Sequence, residues 1–195
     1  MTINRFYQLA NQRRNNKINL RPNPRLPPLN QNLRLSVAQL KPTYIRLSVL
    51  AGNKSVAHLN VQPRNLWILN NNKQKTSRNS RRGGRQVQVL YLAHGETNKN
   101  FRQRGIGEYL RRLANNMARN AGFYGTNQLS TNLEANSNSN NNAPPASISA
   151  SGRIMTRLGF RRVPTPNSEY VNNFAYYFRK VYNHNHKRKR NNSRG

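Results

Sequence analysis

Residues 86–122 read QVQVLYLAHGETNKNFRQRGIGEYLRRLANNMARNAG. They predict a strand, a loop and a helix in immediate succession. In the first nine, Val87, Val89, Leu90, Tyr91, Leu92 and Ala93 form a nearly continuous apolar run. Such a run suits a central strand buried on both faces. GETNKNFRQ follows as a loop. Ile106, Tyr109, Leu110, Leu113, Met117 and Ala121 then recur at helical spacing, which predicts an amphipathic helix stopped by Gly122. At the junction stands Arg102-Gln103-Arg104-Gly105-Ile106-Gly107. Two glycines one residue apart let a ligand approach the backbone, and a helix start offers free N–H groups, so the loop suits a pyrophosphate. It is no Walker loop, because GxxxxGK[ST] is absent. Nor is it a dinucleotide fingerprint, since Leu110 stands where the third glycine belongs.

Working outward, LRLSVAQL from Leu33 alternates with period two, and TYIRLSVL follows. Gly52-Asn53 then separates it from SVAHLNV, a hairpin signal, and RNLWIL continues the second arm. On the C-terminal side, NQLSTNL reads as a short strand. A second helix is expected over Ser151–Leu158, stopped by Gly159, with closing strands at Phe160–Val163 and Asn173–Tyr182. The order β-β-β-β-α-β-α-β-β predicts an α/β (α+β) fold with a mixed sheet and helices on its faces.

Around this domain, 33–182, composition changes. Residues 1–32 read as a basic, Pro/Asn-rich arm with no core pattern, although Phe6, Leu9 and Ala10 share one face of a possible short helix. Residues 70–85 read as a basic disordered insertion, 135–146 as an Asn-rich loop, and 183–195 as a basic tail. The chain has 195 residues, 34 Lys and Arg, four glutamates, no aspartate and no cysteine. These counts exclude zinc ribbons, disulfide scaffolds, Cys nucleophiles and aspartate-clustered metal chemistry. A net charge of +30 calls for a polyanionic partner. Arginine (25) outnumbers lysine (9), and its planar fork is the better phosphate clamp, so nucleic acid is the expected partner. No apolar run reaches the roughly 18 residues of a membrane span, and the N-terminus lacks a secretory h-region. The expected location is intracellular: nucleus, cytoplasm or packaged in a virion.

The strand 86–94, the loop Arg102-x-x-Gly105-x-Gly107, and the helix stop Leu158-Gly159-Phe160, in that order, resemble the GCN5-related N-acetyltransferase (GNAT) family. The resemblance is specific over Val87–Val163. It implies a GNAT-like acyl-CoA N-acyltransferase fold with acetyl-CoA as co-substrate. Arg102, Arg104, Gly105, Ile106, Gly107 and Glu108 would form the pyrophosphate loop. The edge of Tyr91, Leu92 and Ala93 would bond the pantetheine arm as an added strand. A backbone N–H at Leu92 or its neighbour would polarise the thioester carbonyl.

Two departures stand out. Met155 occupies the position of the family's thiolate-protonating tyrosine, and Lys41-Pro42 joins the first two strands where the family has helices. His94 and Glu96 are the candidate catalytic groups. A histidine near its ordinary pKa suits amine deprotonation; a plain polar strand end and a loop glutamate are the competing readings. Glu108 suits the helix dipole in the first turn. His184 and His186 have no third ligand in view, so no metal is expected. Two functions follow. One is an acetyltransferase of unknown amine acceptor acting in a nucleic-acid setting. The other is a non-catalytic, GNAT-like structural component of a virion or ribonucleoprotein particle. A specific DNA reader is disfavoured, since no helix-turn-helix or zinc-finger pattern occurs.

Overall fold

The computed structural model describes residues 2–20, 22–69, 84–131, 150–163 and 174–180. The elements are α1 (Thr2–Asn11), β1 (Leu33–Lys41), β2 (Tyr44–Ala51), β3 (Lys54–Leu69) and β4 (Gly84–Thr97). A 3-10 turn (Lys99–Phe101) follows, then α2 (Ile106–Ala121), β5 (Gly125–Thr131), α3 (Ala150–Arg157), β6 (Arg161–Val163) and β7 (Phe174–Lys180). All seven strands form one sheet in the order β1-β2-β3-β4-β5-β7-β6. The first four make an antiparallel meander. β4 and β5 are parallel, and α2 is the crossover that such a pair requires. β7 pairs antiparallel with both β5 and β6.

Alternation along the meander divides its two faces. Val37, Leu47, Leu59 and Gly95 are cross-strand neighbours on one face, together with Ile45, Val49 and Val61. These side chains are 0–3% exposed and meet Leu110, Ala114 and Met117 of α2. Each such side chain is worth about 1.5–3 kcal/mol on burial. The opposite face carries Arg46, Ser48, His58, Asn60, His94 and Glu96. Behind α3, the N–H of Phe160 bonds the Met155 carbonyl at 3.0 Å, and Leu158 and Phe160 both join the core.

From Leu33 onward the elements follow the chain order expected, and the Gly52-Asn53 turn and the direct Lys41–Tyr44 connection fall where the sequence put them. Three expectations need correction. Residues 1–32 are no mere arm: Phe6 and Ala10 are fully buried, Ile18 is nearly so, and the Phe6 ring stands edge-on to Phe123 at 6.4 Å. Asn15 and Ile18 donate to the β1 carbonyls of Leu35 and Leu33 at 2.8 and 2.9 Å, so the arm also lengthens the sheet edge. The second correction concerns Gly95–Thr97, expected as loop. They extend β4, because β3 is long enough to pair them with Leu59, His58 and Ala57. Of the basic insertion expected over 70–85, Gly84 and Arg85 instead begin β4, paired with Leu69 and Ile68; residues 70–83, the Asn-rich loop 135–146 and the 183–195 tail lie outside the described residues.

Candidate active site

The parallel pairing of β4 with β5 spans only Val89–Leu92 against Gly125–Gln128, although β4 runs on to Thr97 and β5 to Thr131. The strands therefore part beyond Leu92 and Gln128. The cause is local. On the other edge of β4, Val61 pairs with Leu92 but Asn60 pairs with His94, leaving Ala93 as an extra residue. A bulge of this kind bends its strand and raises the twist. From Ala93 onward the β4 backbone facing β5 lacks a strand partner among the described residues. It can pair with an extended chain as an added strand would. The edge expected at Tyr91–Ala93 is thus shifted: Tyr91 and Leu92 are paired with Asn127 and Gln128, and the open stretch is Ala93–Thr97. The Tyr91 ring instead carries the Arg64 guanidinium 4.1 Å above it.

The loop after β4 delivers the start of α2 to this fork. Gln103 (φ 61°) and Gly105 (φ 77°) are both left-handed, and only the second has the residue type that takes this conformation freely. Strong tethers hold Gln103 and its neighbours. Arg102 Nε donates to the Thr97 carbonyl at 3.1 Å, Asn23 Nδ2 to the Gln103 carbonyl at 3.0 Å, and Arg104 to the Pro27 carbonyl at 2.7 Å. The proline-rich segment therefore braces the loop. Gly105 is the N-cap and has no side chain to offer, so the first amides, at Ile106, Gly107 and Glu108, have no side-chain cap. Arg104 Nε is buried, with no hydrogen-bond partner among the described residues. These donors fit a phosphate group. Glu108 ion-pairs with Arg112 at 2.7 Å and Arg157 at 3.3 Å, linking α2 to α3. Both arginines are exposed, so these pairs contribute little stability.

His94 and Glu96 project from the open stretch of β4, and both are exposed. The structure adds a residue that sequence reading missed. His58 of β3 pairs directly with Glu96, and its ring lies 5.3 Å from that of His94. Burial, then the nearby charges of Arg46 and His94, hold the His58 imidazole below its ordinary pKa, against an opposing pull from Glu96. The donor atoms of His58, His94 and Glu96 lie within 4.8 Å of one another, a set that could hold a divalent ion. This was not expected from sequence. The positive charge of Arg46 at the same place opposes such an ion and favours the neutral form of His58.

A second missed residue is Arg111, on α2. It is 6% exposed, and burial pushes its guanidinium down to about 10, still protonated at neutral pH. Its Nε donates to Gln128 Oε1 at 3.0 Å and its other arm to the Gly107 carbonyl at 3.0 Å. Neither residue carried a readable signal: His58 is one polar residue in an alternating strand, and Arg111 follows Leu110 on a helix rich in arginine. Met155, in the family's tyrosine position, is fully buried and serves as core packing.

No family model matches the sequence, and neither does any curated protein. Solved structures do match. A point mutant of the AtaT toxin aligns over 72% of this chain and 68% of its own, at 13% identity and TM-score 0.51. Arabidopsis thaliana NAA60 in complex with acetyl-CoA aligns over 72% and 78%, at 12% identity and TM-score 0.47. A GNAT-family acetyltransferase from Streptococcus pneumoniae aligns over 73% and 70%, at 12% identity and TM-score 0.45. At such identities the likeness is one of fold: the chain has the GNAT acyl-CoA N-acyltransferase fold. No described helix is long and apolar enough to cross a membrane.

Proposed function

We propose that the chain is an acyl-CoA-dependent N-acyltransferase, with acetyl-CoA as its simplest donor, acting inside the cell on an amine in a nucleic-acid setting. One arrangement supports this reading. The open β4 edge and the uncapped start of α2 flank the fork, and His94 and Glu96 project from that same β4 stretch on the opposite face of the sheet.

The co-substrate supplies an activated acyl thioester. The amides of Ile106–Glu108, with Arg102 and Arg104 beside them, would hold its pyrophosphate at the positive end of the helix. The backbone of Ala93–Thr97 would align its pantetheine arm. A backbone N–H at Leu92 or Ala93 would stabilise the developing oxyanion. His94 or Glu96, or a water they hold, would take the proton of the attacking amine, and the largely neutral His58 keeps a second acceptor beside them. Met155 has no proton to give the departing thiolate, which would be protonated from solvent. The +30 charge repels free polyamines and lysine-rich tails. An acceptor attached to nucleic acid, or the nucleic acid itself, suits it better.

Isothermal titration with acetyl-CoA, on protein stripped of nucleic acid, tests this at moderate and at high salt. Stoichiometric binding should survive high salt and be lost in Gly107→Glu, whose side chain would crowd Arg111, Thr97 and Ile154 at the start of α2. Binding that vanishes with salt in the wild type would overturn it.

The buried Met155 favours a second reading: a non-catalytic structural or nucleic-acid-binding component of a virion or ribonucleoprotein particle. Nucleic-acid affinity should then fall steeply with salt, log K dropping by about 0.9 per phosphate neutralised and per decade of salt, while acyl-CoA has no saturable site.

A further inference from the structure

The face of the meander opposite α2 is a charged platform. Register places Arg46, Asn60 and His94 in one row across β2, β3 and β4, and Ser48, His58 and Glu96 in the next. Arg34 stands two residues from Ser36, the β1 partner of Ser48, and Arg64 four residues beyond Asn60. The three arginines thus fall on one diagonal, one per strand, about 14 Å apart by strand rise and spacing. α1 and α2 bury the other face, while Arg34, Arg64, His94 and Glu96 are exposed and Arg46 and His58 half-buried. Neutral groups steer the arginines. Arg34 donates to the Gly52 carbonyl at 3.1 Å, Arg46 to Asn60 Oδ1 at 2.9 Å, and Arg64 lies over the Tyr91 ring at 4.1 Å. Both ion pairs among the described residues belong to Glu108, on α2, and Glu96 is the one described carboxylate on the platform. At the β1 end the platform runs into a cavity of about 890 Å³. Arg34 lines it with Lys54, Asn53, Asn98 and Phe101, and no carboxylate does.

We propose that this platform docks a single-stranded nucleic acid, with its phosphates on the arginine diagonal and its bases against the imidazoles and amides beside it. This rests on the nucleic-acid half of the reading above and not on acyl transfer. Arginine forks hold phosphates through charge-assisted hydrogen bonds. The His58 and His94 rings, 5.3 Å apart, can stack on unpaired bases, and the exposed Asn53 and Asn98 amides can bond their edges. A duplex keeps those edges in grooves that admit a protruding helix or two-stranded ribbon. A sheet face meets only bases that are splayed out. An oligonucleotide on the diagonal passes Arg46, which shares its row with His94. An amine carried on it would therefore arrive beside His94 and Glu96.

The test is binding of a single-stranded oligonucleotide of about a dozen nucleotides to the full chain, against the same sequence as duplex, across a salt series. The wild type should prefer the single strand at least 10-fold. Arg34→Gln, Arg46→Gln and Arg64→Gln combined should lower affinity at least 10-fold. They should also reduce the slope of log K against log salt by about 2, at roughly 0.7 per phosphate contact. Lys187→Gln, Arg188→Gln and Lys189→Gln combined remove the same charge from the tail and should cost 3-fold or less. A preference for duplex, or a platform variant that loses no more than the tail variant, would overturn the proposal. If the platform variant does not fold, photo-crosslinking of a thiouridine-substituted oligonucleotide to the wild type decides. Adducts within 46–64 and 94–101 support the platform, and adducts confined to 70–83 and 183–195 overturn it. Oligonucleotide docking on the platform without any acetyl-CoA binding would uphold this proposal and refute the acyltransferase reading.

Discussion

The two flanks of α2 differ in kind. Toward α1 and the meander it presents Leu110, Ala114 and Met117 to Phe6, Leu47, Leu59 and Val61, every one of them almost fully buried. Toward β5 it presents Arg111, which holds Gln128, and Asn115, whose Oδ1 accepts from Thr126 at 2.6 Å. All four of these polar residues are buried too. The apolar flank accounts for stability by area alone. The polar flank does not: a buried guanidinium costs several kcal/mol in desolvation, which hydrogen bonds such as those to Gln128 and the Gly107 carbonyl offset. Buried polar side chains therefore distinguish the flank of α2 that faces β5.

Breaking the apolar flank should have the largest effect. Phe6→Ala is expected to destabilise the domain by about 3–5 kcal/mol, read by denaturant unfolding. It also tests whether the first eleven residues belong to the domain, since a true arm would tolerate the change. The polar flank should respond differently. Arg111→Met is expected to change stability by less than about 2 kcal/mol, because the lost desolvation cost offsets the lost hydrogen bonds to Gln128 and the Gly107 carbonyl. Arg111→Met and Gln128→Leu together should cost less than the sum of the two alone, because they share the Arg111–Gln128 hydrogen bond, seen as non-additivity of about 0.5–3 kcal/mol in a double-mutant cycle. Additive effects would mean that the two side chains act independently.

How much of this contrast could be read from sequence follows from its range. The 86–94 strand, the Ile106–Ala121 helix and the Leu158-Gly159-Phe160 stop are set by residues within a few turns of one another, so local periodicity gave them. α1 is half legible, because it buries only Phe6 and Ala10 and the partner of Phe6, Phe123, lies more than a hundred residues away. The fork depends on a bulge at Ala93 that shows only when β3 and β4 are set in register. His58 meets Glu96, and Arg111 meets Gln128, across the sheet and across the helix–sheet interface. No spacing rule along one chain brings those pairs together.

The smallest expected effect concerns pH. His58 is held below its ordinary value chiefly by burial, and then by Arg46 and His94, with Glu96 opposing. The unfolded chain takes up this proton near pH 6.5, whereas the folded chain resists until lower pH. Between those values the unfolded state binds more protons. Stability from this group is therefore complete above about pH 6.5 and falls as pH drops toward the lowered folded pKa. His58→Gln should flatten that part of the profile of melting temperature against pH. An unchanged slope would place the dependence elsewhere.

The fork between β4 and β5 as the acyl-CoA site is tested most directly by amide hydrogen exchange with and without CoA at high salt. The expected result is slowed exchange confined to Ala93–Thr97 and Gln103–Glu108, and its absence in Gly107→Glu. Protection spread over the Lys- and Arg-rich segments, or none at the fork, would contradict it.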